Sequence, residues 1–107
     1  MIEIEDRVFT ALADANRRRL LTRLAQSSPE TATQLACAFP ISCQGIMKHL
    51  DLLAQAGLVQ VQTKGREKRY VFDPNSLQPA SAWIETISKQ WNEHLLRLKN
   101  LVEDGEL

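Results

Sequence analysis

Two short helical patterns lie so close together in this chain that their connection limits the fold more than any other feature. A capping box at residues 31–34, with Thr first and Gln last, predicts the start of one helix, and Pro40 predicts its end. Ser42 is typical of the N-cap of a following helix, and Gly57 suits the left-handed position that ends it. Two helices joined by so tight a turn predict a helix-turn-helix over about residues 31–57.

The second of these helices has one apolar face and one polar face. Ile46, Leu50 and Leu53 recur at helical spacing and predict the buried side. Half a revolution away lies a polar side with a methionine on its flank, made of Gln44, Met47, Lys48, Asp51 and Gln55. The N-terminal half of this helix is therefore expected to be exposed.

Two helices precede this motif. The first is predicted from about Ile4 to Ala13, with an apolar stripe of Val8, Phe9 and Leu12. Asp14 is expected to cap the second, which runs from Ala15 to about Gln26 and buries Leu20, Leu21 and Leu24.

The apolar period changes to two over residues 58–73, which predicts a β-hairpin. Val59 and Val61 alternate with glutamines in one strand, and Tyr70 and Phe72 alternate with other residues in the second. The tip, residues 64–69, holds four basic residues and one acid.

A last helix is predicted from a cap at Ser76 to about Glu103. Its apolar residues recur at alternating spacings of four and three, as in a heptad pattern. Such a stripe would expose several hundred Å² of apolar surface on a monomer, so we expect an isologous two-fold homodimer. The chain is thus predicted to be one domain, mainly α with a small β-hairpin: about five helices and a two-stranded wing.

Charge is segregated along the chain although the 13 basic and 13 acidic residues cancel. Residues 17–70 hold nine bases and three acids, whereas both flanking segments are acidic. A basic middle favours an anionic partner. The short apolar runs and the acidic N-terminal residues fit neither a membrane span nor a signal peptide, so we expect a cytoplasmic protein without a membrane partner.

The helix-turn-helix and the basic hairpin together predict binding to double-stranded DNA. An α-helix fits the major groove, where Gln44 can read adenine and Lys48 can bond guanine or a phosphate, while Gly45 lets the helix approach closely. His49 has two interpretations, an inter-helix hydrogen bond and a phosphate contact. The predicted DNA-binding residues are Ser42, Gln44, Gly45, Met47, Lys48, His49, Lys64, Arg66, Lys68 and Arg69. The alternative is that each charge run is merely a solvated face.

Several groups of residues occur here in a characteristic order and spacing. They are Phe9-x-Ala-Leu-Ala-Asp-x-x-Arg-Arg-Arg-Leu-Leu, Ile41-Ser42, Lys48-His49-Leu50-x-x-Leu53-x-x-Ala56-Gly57-Leu58-Val59 and Gly65-Arg66-x-x-x-Tyr70. This set, within about residues 7–102, resembles the ArsR-type winged helix-turn-helix repressors.

The resemblance implies a homodimer joined through the first and last helices, recognition by the helix from Ser42 to Ala56, and repression by occupying an imperfect inverted repeat. The expected dimer residues are Val8, Phe9, Leu12, Ile84, Ile87, Trp91, Leu95, Leu98 and Leu101. Trp83 and Trp91 resemble those of a branch without a metal site, often encoded beside small lipid-binding-like proteins. The small-molecule inducer and the operator are not specified by these residues.

No metal or other cofactor is expected. Thr31 and Thr33 stand where metal-binding relatives have a Cys-x-Cys pair, and the last helix holds a single histidine, His94. Cys37 and Cys43 bracket the turn of the motif and are candidates for a redox switch, although small buried cysteines are common.

Neither histidine lies in a nucleophile motif and no phosphate-binding loop occurs, so an enzyme is not expected. Two alternatives to a plain repressor remain at this stage. One is a metal- or redox-responsive member of the same family, and the other is a winged-helix module that binds proteins, for which a hairpin tip poor in bases would be expected.

Overall fold

The structure, a computed structural model, describes the backbone of residues 4–105 and the side chains of residues 6–105. The helices and strands in this part of the chain are α1 (Ile4–Leu12), α2 (Ala15–Ser27), β1 (Glu30–Thr31), α3 (Ala32–Ala38), α4 (Cys43–Gln55), β2 (Val59–Lys64), β3 (Glu67–Phe72) and α5 (Gln78–Glu103). The predicted fold class, a mainly helical winged helix-turn-helix, is confirmed.

The core lies where α1 to α4 meet the base of the hairpin. Its fully buried side chains include those predicted from the helical stripes, Leu20 and Leu24 of α2 and Ile46, Leu50 and Leu53 of α4. Burying side chains of this size stabilises the fold by about 1.5–3 kcal/mol each. The core therefore fixes α4 by one face and leaves its opposite face free.

Side-chain caps set the helix starts as the sequence predicts. The Asp14 carboxylate accepts hydrogen bonds from the backbone amides of Asn16 and Arg17 at the start of α2. Thr31 and Gln34 form the reciprocal capping box of α3. The Ser42 hydroxyl accepts from the Gly45 amide at 3.1 Å, so the turn between α3 and α4 ends where a cap is available.

The sheet has three antiparallel strands in the order β1-β3-β2: the predicted two-stranded hairpin is present as β2 and β3, but the short strand β1 beside β3 was not predicted. In the additional pair Glu30 lies opposite Tyr70. The buried Glu30 carboxylate accepts hydrogen bonds from the guanidinium of Arg23 in α2, the shortest at 2.9 Å. The backbone amide of Phe72 donates to the Ser28 hydroxyl at 3.0 Å. These bonds join α2 to β1 and the residue after α2 to β3. A strand of two residues such as β1 is too short to leave a periodic signal in the sequence.

The hairpin projects from the core. Lys64 and Glu67 are the last paired residues, so Gly65 and Arg66 form a two-residue turn with a positive φ of 62° at Gly65, as a type II′ turn requires. Tyr70 is buried, but Val61 is 46% exposed. The predicted alternation therefore reaches the core only at the base of the hairpin.

The last helix starts later than predicted and extends away from the core. Ser76 is not its cap: its hydroxyl donates to the Asp73 carbonyl, and Asp73 caps a 3₁₀ turn over Pro74–Leu77 before α5 begins at Gln78. Ala80 is the one fully buried residue of α5. No helix among the described residues is sufficiently long and apolar to cross a membrane.

Candidate nucleic-acid interface

A groove separates the helix-turn-helix from the wing. It encloses about 820 Å³ between the N-terminal ends of α3 and α4 on one side and β3 with its turn on the other. Cys43 and Met47 line it from α4, and Arg66, Lys68 and Arg69 line it from the wing. Four of the residues predicted to bind DNA are therefore brought to one concave surface: Met47, Arg66, Lys68 and Arg69.

Two further predicted residues lie on the outer face of α4 rather than in the groove. Gln44 and Lys48 are exposed and four positions apart, so they project from neighbouring turns on the same side of the helix. Leu50 and Leu53 fix the opposite side in the core. This arrangement presents an amide and an ammonium group outward from the first turns of α4.

Gly45 is required by a contact within the chain. A β-carbon at this position would lie 2.7 Å from the Cγ2 methyl of Ile41 and 3.3 Å from the Ser42 hydroxyl. Since Ile41 packs against the core, the turn of the motif has no room for a side chain at Gly45. This reason is separate from the close approach to DNA expected from the sequence.

His49 is half-buried on the flank of α4, and its Nδ1 is buried without a hydrogen-bond partner. The predicted inter-helix hydrogen bond therefore does not form at Nδ1. His49 is near enough to the cap of α2 that its charge contributes to lowering the pKa of Asp14, after the larger contributions from the Arg17 and Asn16 amides and the Arg17 charge.

The basic side chains of the wing differ in whether they form an ion pair. The guanidinium of Arg69 donates to the Glu67 carboxylate at 3.0 and 3.2 Å. Lys64, Arg66 and Lys68 are exposed, and none of them forms an ion pair with a described carboxylate. The tip consequently presents three cationic groups that are available to an anion.

Tyr70 lies where the groove meets the core. Burial raises the pKa of its phenol, and the charges of Asp51 and Cys43 raise it further. Tyr70 lines the groove between α4 and the wing.

Sequence reasoning missed one wall of the groove. Thr31, Thr33 and Gln34 line it from the N-terminal end of α3. Their polar character at a helix start was visible in the sequence, but only the addition of β1 to β3 shows that this end of α3 lies beside the wing. Lys64 and His49 do not line the groove.

The two predicted redox residues are free thiols and are exposed, one on α3 and the other on α4. Cys43 lines the groove and Cys37 does not. Both cysteines are exposed because neither lies on the apolar stripe of its helix.

The residues predicted to join two copies fall into three groups by their burial in the monomer. Val8 is completely buried within the monomer and so belongs to its core, whereas Phe9 and Leu12 are half-buried. The Phe9 ring makes an edge contact with the Trp83 ring of the same chain, with centroids 5.4 Å apart. The predicted residues of α5 remain exposed or half-exposed: Ile84, Ile87, Trp91, Leu95, Leu98 and Leu101.

No group of three or more metal-ligating side chains of the His, Cys, Asp or Glu type occurs among the described side chains, residues 6–105. His94 contacts an aromatic ring instead, with its centroid 5.6 Å from that of Trp91.

A family profile described as a helix-turn-helix domain matches residues 12–62, which include α2, α3, α4 and the start of the wing. Over 98 residues the chain is 32% identical to the HTH-type transcriptional regulator Rv2034 of Mycobacterium tuberculosis, covering 92% of this chain and 88% of that protein. It is 34% identical over 77 residues to the transcriptional repressor SdpR of Bacillus subtilis, covering 72% of this chain and 84% of the repressor.

A solved structure described as an ArsR-like transcriptional regulator from Rhodococcus sp. RHA1 is similar over 92% of each chain. The TM-score is 0.79 and the sequence identity is 35%. The similarity extends well beyond the helix-turn-helix.

Proposed function

This chain belongs to the ArsR-type winged helix-turn-helix family of DNA-binding transcriptional regulators, and we propose that it acts as a repressor that occupies an inverted-repeat operator as a homodimer. The observation that carries this proposal is the exposed polar start of α4 beside a wing with three basic side chains that form no ion pair with a described carboxylate.

We assign recognition of the DNA sequence to the outer face of α4. Gln44 and Lys48 project from the first turns, where an amide can form a bidentate pair with adenine and an ammonium group can reach guanine or a phosphate. The hydrogen bond from the Gly45 amide to the Ser42 hydroxyl holds the helix start in place, so these side chains are presented on a rigid element. Met47, on the groove side, is suited to apolar contact with a thymine methyl.

Affinity is assigned to the wing. Arg66 and Lys68 face the groove without an ion-pair partner among the described carboxylates, whereas Glu67 holds Arg69. Contacts of such bases with phosphate position a protein on DNA without reading its sequence directly. We therefore rank Arg66 and Lys68 above Arg69 as phosphate ligands.

A second copy of the chain is the proposed cover for α5. Trp91 is 58% exposed and Ile84 is 51% exposed, an arrangement that is costly for a helix alone in water. The accessible surface of the chain is 7710 Å², against about 6,000 Å² for a compact monomer of its mass. Pairing of the α5 helices, flanked by Phe9 and Leu12, would bury this excess and set two α4 helices in two-fold symmetry.

Repression, rather than activation, is inferred from a relative, since one of the similar proteins is named a transcriptional repressor. A dimer seated on a promoter excludes polymerase by occupancy and needs no catalytic group. We accordingly propose a non-enzymatic role in the cytoplasm, where promoter DNA is available in a bacterium.

Selection of bound duplexes from a random pool by the intact chain tests this proposal. We expect enrichment of a two-fold symmetric sequence whose half-sites are about one helical turn, or a multiple of it, apart. Retention of duplexes without any enriched sequence, or enrichment of a single asymmetric site, would contradict the proposal.

A further inference from the structure

A second cleft lies on the other side of α4 from the DNA-facing groove. It encloses about 440 Å³ between α1, the start of α2 and the C-terminal end of α4, a volume in the range of about 300–1,000 Å³ that is usual for small-molecule sites. None of the residues predicted to bind DNA lines it. The cleft therefore requires a separate explanation.

The floor of the cleft is apolar. Ala11, Leu52 and Ala56 form it, and the Leu52 side chain is 43% exposed there although its neighbour Leu53 is fully buried. A large aliphatic side chain open to water beside two alanines favours an apolar occupant.

The polar edge of the cleft is cationic. Arg7 and Arg17 line it, and no described acidic side chain does so. The Arg17 guanidinium donates to the carbonyl oxygens of Ala11 at 2.7 Å and Thr10 at 3.2 Å, which fixes its position and leaves other N–H groups for an anion. Asp14 is close to Arg17, but its carboxylate is already bound to backbone amides and does not line the cleft.

The proposed dimer leaves this cleft open. On a helix with about 100° per residue, Arg7 lies about 160° around α1 from Phe9. Phe9 is the side chain that contacts Trp83 of α5. The surface of α1 nearest the dimer contact is thus nearly opposite the surface that lines the cleft.

From this geometry we propose that the cleft binds a small amphipathic monocarboxylate. Its carboxylate is paired with Arg7 and Arg17, and its hydrocarbon part covers Leu52 and the two alanines. Arginine is suited to this role because its planar guanidinium matches a carboxylate in a bidentate pair. Gln55 lines the same cleft and adds an amide that can bond a carboxylate oxygen.

Such a site would connect the dimer contact to DNA recognition, because α1 carries Phe9 and α4 carries Gln44. Any effect of occupancy on operator affinity rests on the proposed function. Carboxylate binding itself does not, and it is measured without DNA, so the two proposals fail separately.

The test is an NMR titration of the intact ¹⁵N-labelled chain with hexanoate, octanoate and phenylacetate in turn. We expect saturable shifts at the amides of Ala11, Gln55 and Ala56. Octanamide, which has the same chain without the charge, is expected to bind at least about tenfold more weakly than octanoate. Absence of saturable shifts with all three carboxylates, or equal affinity for octanoate and octanamide, would overturn the proposal.

Single substitutions test whether octanoate binding depends on the arginines that line the cleft or only on the overall positive charge of the protein. Arg7→Gln is expected to weaken octanoate binding by about tenfold or more, and Leu52→Ser is also expected to weaken it. Arg19→Gln is the matched control, because Arg19 is exposed on α2, does not line the cleft, and its guanidinium donates to Asn16 of the same helix. An Arg7→Gln variant that binds octanoate as tightly as Arg19→Gln would equally overturn the assignment. Arg17 is left unchanged, since its bonds to α1 support the fold.

Discussion

Gly45 and Ile41 are packed so tightly that a β-carbon on the glycine would lie 2.7 Å from the Ile41 Cγ2 methyl. Ile41 belongs to the turn between α3 and α4, and Gly45 belongs to the first turn of α4. Their contact sets how closely α4, the proposed recognition helix, approaches the turn before it.

Substitution of Gly45 by alanine is expected to destabilise the fold. Alanine gains up to about 1 kcal/mol over glycine in a helix, but forcing a methyl group into a filled space costs about 1–3 kcal/mol. Ile41→Leu removes the Cγ2 methyl, so in that background Gly45→Ala should be neutral or stabilising. Urea unfolding of the four chains of this double-mutant cycle measures the coupling. Additive effects would show that the contact does not constrain residue 45.

The cap of α2 gives a pH-dependent contribution to stability. Hydrogen bonds from the Arg17 amide, then the Asn16 amide, together with the Arg17 and His49 charges, lower the pKa of Asp14 against the opposing effect of burial. A carboxylate with a lowered pKa in the folded state stabilises the fold above its unfolded pKa of about 3.9, and this contribution is lost as the pH falls through the folded value.

We therefore expect wild type to be more stable than Asp14→Ser near neutral pH, by a difference that shrinks below about pH 4. Serine keeps an oxygen acceptor without the charge, so the comparison isolates the ionised form. Urea midpoints across this pH range measure the difference. A difference that persists undiminished at pH 2 would indicate that the charge of Asp14 is not its source.

The α5 stripe is expected to hold the dimer. Trp91→Asp places a charge at a 58% exposed tryptophan in the centre of the stripe, and loss of such an anchor typically costs at least about 2 kcal/mol, or roughly thirtyfold in the dissociation constant. Lys89→Asp, on the opposite face of α5, is the control and should leave the dimer intact.

Sedimentation equilibrium at micromolar concentration measures both variants, and circular dichroism checks that their helices remain. A wild-type chain that sediments as a monomer, or a folded Trp91→Asp chain that remains dimeric, would be incompatible with this interface.

Local rules predicted the helices and their caps, because each depends on a few neighbouring residues. Asp14, Thr31 and Ser42 cap the helices that the sequence assigns to them. One failure involves a longer distance, because the pairing of Glu30 with Tyr70 joins residues 40 positions apart. The other is local, because Asp73 rather than Ser76 provides a cap, and the element it caps is a 3₁₀ turn that precedes α5.

The candidate site divides in the same way. The exposure of Gln44 and Lys48 follows from helical periodicity alone. The wall formed by Thr33, the ion pair of Arg69 with Glu67 and the cleft beside Arg7 depend on how separate elements pack, and no single-helix pattern contains that information.

The most direct test of DNA recognition by α4 and the wing is a salt titration of binding to the selected duplex and to a scrambled duplex. Wild type is compared with Gln44→Ala, Arg66→Ala and the control Lys89→Ala. Gln44→Ala should weaken binding to the selected duplex by about 1–3 kcal/mol per half-site. It should weaken binding to the scrambled duplex much less, so the ratio of the two affinities should decrease. Arg66→Ala should weaken both equally and flatten the salt dependence by about one phosphate per protomer. Two results together would contradict recognition through these elements. They are an unchanged ratio of selected to scrambled affinity in Gln44→Ala, and affinities and a salt dependence in Arg66→Ala that match those of Lys89→Ala.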